Sequence, residues 1–247
     1  MRRKEGRKWM NLISLYLNYV FQKSTVIIFF VSILFMILAL IIIINPNFDM
    51  DLYKINPASF HEKYFMQSLF VLSIFNGILV TTISIIYMLQ SNSFDALFLS
   101  YTKRSMLCIS KIIAASILFL LLSIFEFVLL YGLPLILYPS FKMDRKALLT
   151  IAYIFSAMLF DFALSIVLVV WIPNIFSPMV ILFLSIVKNM LSTSFQSIKD
   201  IGGEILPILC YKDGYISMQS IYITPIFSLL LFLVYFSIYN IKDIKIA

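Results

Sequence analysis

Residues 112–135 read IIAASILFLLLSIFEFVLLYGLPL, and Glu126 is the single ionisable side chain among them. About 20 apolar residues in a helix cross the roughly 30 Å hydrocarbon core of a bilayer, so this stretch is long enough with residues to spare. Lipid offers a backbone amide no hydrogen-bond partner, and a helix satisfies its amides internally. The alternation of apolar and polar positions that marks a membrane β-strand is absent. The segment therefore predicts a membrane-crossing helix.

Working outward, five more apolar segments stand at about 25–44, 65–88, 148–170, 177–195 and 221–239. The expectation is an all-α, polytopic membrane protein with six spans and no soluble domain. Composition agrees, at 62% hydrophobic and 13% charged over 247 residues. Soluble chains run about 45–50% apolar and about 25% charged. Cys108 and Cys210 are the only cysteines, which excludes a disulfide scaffold. The first segment is read as a span and not as a cleaved signal. Its run from Thr25 to Ile44 exceeds the roughly 7–15 apolar residues of a signal peptide, and Asn45-Pro46-Asn47 follows where a small-residue cleavage site would stand. Lys188 and Asn189 interrupt the fifth segment. No internal repeat is evident.

Loop charge sets the direction. With the N-terminus inside, the inner segments hold eleven Lys and Arg against Glu5, Asp95 and Asp243, a net of +8. The outer loops hold seven basic and seven acidic residues. Both termini are thus expected in the cytoplasm. The overall charge of +7 is accounted for by topology and contact with anionic lipid, and no nucleic-acid partner is expected. Usage rich in Ile, Phe, Asn and Lys and poor in Ala points to an AT-rich bacterial genome, hence a bacterial cytoplasmic membrane.

Several chemistries lack their residues. None of the six glycines opens a GxxxxGK[ST] phosphate loop. His61 is the only histidine, and His61-Glu62 is followed by Phe65 where a zinc-binding HExxH helix needs its second histidine. No GxSxG elbow occurs. No catalytic residue, resident metal or cofactor is expected in this chain.

Two segments flank the early spans on the inner side. Residues 7–23, RKWMNLISLYLNYVFQK, place Trp9, Leu12, Ile13, Tyr16 and Val20 on one helical side. Lys8, Asn11, Ser14, Asn18 and Gln22 fall on the other. This predicts an interfacial helix along the inner leaflet, either a plain surface flank or an elbow coupled to the first span. Residues 91–111, SNSFDALFLSYTKRSMLCISK, are long for a connection between antiparallel helices. Phe94, Leu97, Phe98 and Tyr101 recur at i, i+3, i+4 and i+7, which predicts a short amphipathic helix ending near Lys103-Arg104. Such a helix can dock in a partner's groove or lie as an interfacial turn.

In this layout the chain resembles the permease subunits of type-2 ABC transporters, in the six-span exporter class that includes bacitracin- and lantibiotic-resistance pumps. Those permeases have an amphipathic N-terminal helix, two spans, and an inner loop with an acidic residue. A leucine-rich stretch follows, then Pro-x-Ser-Arg and a Lys seven residues after the Arg. Here stand Asp95, Leu97–Leu99, Arg104 and Lys111. Asp replaces the usual Glu, the Gly-Thr pair is missing, and Thr102-Lys103 stands where Pro is expected. WIPNIFSP at 171–178 is similar to the family's tight inner turn, and 196–220 to its re-entrant outer segment. The resemblance implies a separate ABC ATPase subunit carrying ATP and Mg, and a second permease, identical or related. It also implies that 91–111 is the coupling loop, with Phe94, Asp95, Leu97, Phe98, Tyr101, Lys103, Arg104 and Lys111 in contact with the ATPase. The implied cargo is an amphipathic peptide, an antibiotic or a lipid, moved out of the cell.

Glu126, Asp161 and Lys188 are the ionisable residues inside predicted spans. A charge at the centre of a bilayer costs roughly 2.5–3.5 kcal/mol on insertion scales, so each needs a partner or water. Two readings stand: a structural pair of Lys188 with Asp161 or Glu126, or a substrate pathway on which Glu126 touches cationic cargo.

Overall fold

The computed structural model describes residues 2–20, 102–137, 145–171 and 218–241, with single helical positions between 30 and 38 and between 180 and 184. The described residues form an all-α structure of four long helices: α1, Arg2–Val20; α2, Arg104–Leu137; α3, Arg145–Trp171; and α4, Met218–Ile241. The apolar segments 112–135, 148–170 and 221–239 fall inside α2, α3 and α4. The segment 65–88 lies outside the described residues, as do the loop 91–101, the outer segment 196–217 and most of 25–44 and 177–195.

α2 begins eight residues ahead of its apolar segment, so residues 104–111 of the predicted connection are helix. Its first bonds run from the Met106 and Leu107 amides to the Lys103 carbonyl, at 2.9 and 3.3 Å. Lys103 therefore caps the helix, and the non-helical Thr102-Lys103 pair separates it from the chain before it. At 34 residues and about 1.5 Å per residue, α2 is roughly 51 Å long, well beyond the need of a hydrocarbon core. Residues 104–133 and 221–241 are each long and apolar enough to cross a membrane.

α1 packs on α2, α3 pairs most extensively with α4, and α2 also touches α4 and α3. On α1, Leu12 and Tyr16 are buried, whereas Asn11, Ser14 and Asn18 are exposed. Its apolar side faces α2. α2 buries a continuous stripe at Leu107, Lys111, Ala114–Ala115, Leu118–Phe119, Leu122–Ser123, Glu126 and Leu130. Leu120, Leu121, Ile124, Phe125 and Val128 are exposed on the other side. α4 exposes Tyr222, Ile226, Leu229, Leu230 and Leu233 in the same way. Among the described residues, α2 and α4 each keep a row of large apolar side chains exposed, the kind of surface that marks a membrane or protein contact.

Rings set the register of α2 against α3. Phe119 stacks on Phe162 at 4.6 Å and 13°, and tilts against Phe155 at 5.8 Å. Phe127 meets Phe155 at 6.4 Å. Numbers rise along one helix as they fall along the other, so the two are antiparallel. Phe162 continues edge-on to Phe232 of α4 at 5.8 Å. Buried hydroxyls bond within their own helix, Ser110 to the Met106 carbonyl, Ser123 to Phe119, Ser165 to Phe162 and Ser228 to Thr224. That arrangement hides polar groups where water cannot reach. The buried Ser156 hydroxyl is the exception, with no hydrogen-bond partner.

Candidate functional site

Two sets of polar side chains stand out along α2. The first is at its N-terminal end. Lys111 is wholly buried, and its ammonium lies over two tyrosine rings, Tyr16 of α1 at 5.8 Å and Tyr239 of α4 at 5.1 Å. Arg104, two turns earlier, places its guanidinium over the same Tyr239 ring at 5.6 Å. Tyr235 packs against Tyr239 at 5.9 Å between ring centroids, one turn back along α4. Cys108 is buried in the same stretch.

The arrangement follows from helix geometry. Arg104, Lys111 and Cys108 are seven and four residues apart, so all three fall on one side of α2. Tyr235 and Tyr239 are four apart on α4 for the same reason. A ring face is negative and attracts a cation, by about 2 kcal/mol or more when water is excluded. The aliphatic stems pack while the rings receive the charge. Three helices distant in the chain are thereby pinned at one end.

The second set centres on Glu126, about four turns beyond Lys111. Glu126 is 2% exposed, and among the described residues neither carboxyl oxygen has a hydrogen-bond partner. Ser123 precedes it by one turn and is also buried. Both sit on the stripe that carries Phe119. Asp161 is half-buried on α3, beside the stacked Phe162.

The remaining predicted site residues distribute as follows. Lys103 is exposed and Arg104 half-buried at the start of α2, while Lys111 lies deep in the helix contacts. Phe94, Asp95, Leu97, Phe98, Tyr101 and Lys188 lie outside the described residues. The structure thus brings Arg104 and Lys111 together on one ring and leaves Lys103 apart. Tyr16, Tyr235, Tyr239 and Ser123 enter the two sets although the sequence does not mark them as site residues. The i, i+4 tyrosine pair near the end of the last helix was the available signal. Among the described residues no group of three or more His, Cys, Asp or Glu stands close enough to hold a metal ion.

No protein-family model, curated protein or solved structure matches the chain.

Proposed function

We propose that the chain is the permease subunit of an ATP-driven ABC exporter in a bacterial cytoplasmic membrane. In this reading it has six spans and both termini in the cytoplasm. ATP is hydrolysed on a separate ATPase subunit, and a second permease completes the pathway. The cargo is an amphipathic peptide, an antibiotic or a lipid. The observation that supports it best is the junction of Arg104 and Lys111 with Tyr16 and Tyr239. The loop 91–103 leads directly into that end of α2. A load applied to the loop by an ATPase would reach α1 and α4 as well as α2, which is what a coupling element has to do. The exposed apolar sides of α2 and α4 support contact with lipid.

Glu126 favours a second reading, a stand-alone secondary transporter using Glu126 and Asp161, because a buried carboxyl without partners suits a solute site. A non-transporting membrane partner, for immunity, sensing or assembly, is the third.

Co-purification separates them. The detergent-extracted chain is expected to bring an ATPase with it. Changing Leu97 and Phe98 together to Asp places charge in the docking groove, at a cost of several kcal/mol. The ATPase should be lost while membrane insertion persists. Undiminished recovery of the ATPase with the variant overturns the docking assignment, and recovery of none with the wild type overturns the exporter. Orientation has its own measurement. A cysteine at Ala58 should be labelled from outside, and one at Ser93 only from inside. The reverse pattern sinks both the topology and the coupling loop.

A further inference from the structure

A buried carboxyl with two unmatched oxygens is costly. Each unsatisfied buried acceptor gives up the hydrogen bonds it had with water, and the loss is greater if it is charged. Glu126 carries two such oxygens. Its surroundings describe what would satisfy them. Ser123 lies one turn away on the same face, where Cβ atoms are about 5–6 Å apart. The Ser123 hydroxyl donates its proton to the Phe119 carbonyl at 2.8 Å, so its lone pairs remain for an incoming donor. With the carboxyl ionised, the state an ammonium partner favours, the two residues offer three acceptors: two carboxyl oxygens and one hydroxyl oxygen. Phe119 and Phe127, which stand before and after the pair on α2, both meet Phe155 of α3, with centroids 5.8 and 6.4 Å apart.

We propose that Ser123 and Glu126, on the buried side of α2, form a binding site for a primary ammonium group. An ammonium carries three donors and no acceptor, which matches the three acceptors of the pair. A quaternary ammonium has the charge but no donor. A guanidinium would spend its planar fork on the carboxyl and leave donors over. Two sources supply the same chemistry: a cationic amphiphile as cargo, or the ammonium of Lys188 in the predicted fifth span. That the occupant is cargo rests on the transport reading; that the site takes an ammonium does not.

The test uses the full chain in nanodiscs of zwitterionic lipid, titrated with n-octylammonium or n-octyltrimethylammonium. If the source is external, the wild type binds the primary amine in clear preference to the quaternary one, and Lys188→Gln changes nothing. Glu126→Gln then weakens the primary amine roughly ten- to a hundredfold, as expected for a charge-assisted bond. Ser123→Ala, which leaves the carboxyl in place and serves if Glu126→Gln does not fold, weakens it about three- to tenfold. If the source is Lys188, the wild type binds neither probe. Lys188→Gln then gains binding of the primary amine, and the Lys188→Gln, Glu126→Gln double variant loses it again. Equal affinity for the two probes overturns the site. So does absence of binding in both the wild type and Lys188→Gln, or binding that neither Glu126→Gln nor Ser123→Ala reduces. Absence of a co-purifying ATPase would remove the exporter reading and leave these titrations standing.

Discussion

Lys111→Glu is expected to unfold the α1–α2–α4 junction, lowering stability by about 3–5 kcal/mol, the usual cost of an uncompensated buried charge. The substitution turns a carboxylate toward the negative faces of Tyr16 and Tyr239, which now attract the ammonium at 5.8 and 5.1 Å. No water is at hand to screen it, since Lys111 is fully buried. Lys111→Met keeps the length of the stem and removes the charge. Its cost should stay near the cation–π contribution, about 2 kcal/mol, because a well-packed apolar side chain often replaces a buried charge without penalty. Thermal unfolding of the purified chain in nanodiscs measures both. Equal losses for Glu and Met would mean that removal of the ammonium, which the two variants share, and not repulsion of a carboxylate by the rings, sets the cost.

Phe119→Ala is the second large effect. Phe119 is buried, and its ring is stacked on Phe162 and tilted against Phe155. Phe→Ala in a core costs about 3–5 kcal/mol. In a bilayer the loss falls on packing, because lipid tails offer an exposed ring much the same apolar surroundings. A double-mutant cycle with Phe162→Ala should leave a coupling of about 0.5–1.5 kcal/mol for the ring pair. Strict additivity of the two single losses would show that the rings contribute only separately. The antiparallel register inferred from them would then lose its energetic basis.

The two experiments probe features that the sequence discloses unequally. The bodies of α2, α3 and α4 are legible because a run of apolar residues between charged ends needs no tertiary information. The exposed side of α1 is legible too, since Asn11, Ser14 and Asn18 recur at helical spacing and are exposed. The start of α2 is not. A hydropathy reading stops at Lys111 and Arg104, because cations signal the end of a span. The helix includes both, starting at Arg104 and running on through Lys111, where tyrosine rings on two other helices face the charges. Those rings are at positions 16 and 239, so no local spacing relates them to 111. The position of Glu126 along its span was readable, and its lack of partners was not. Whether a carboxyl finds a donor depends on what faces it across a helix contact. The same holds for Ser156, which looks no different in sequence from the serines that bond within their own helix.

The junction joins residue 16, residue 111 and residue 239, and so spans almost the whole chain. During synthesis Tyr16 and Lys111 emerge early, and Tyr239 follows about 130 residues after Lys111. At roughly 5–20 residues per second, the ribosome needs on the order of 6–26 s to supply it. Throughout that interval the nascent chain carries a lysine that has one of its two rings and a guanidinium that has none. The last helix is the piece that completes the receptacle. A chain that stops short of residue 239 therefore keeps the contact of Lys111 with Tyr16 and lacks the ring that Lys111 and Arg104 share.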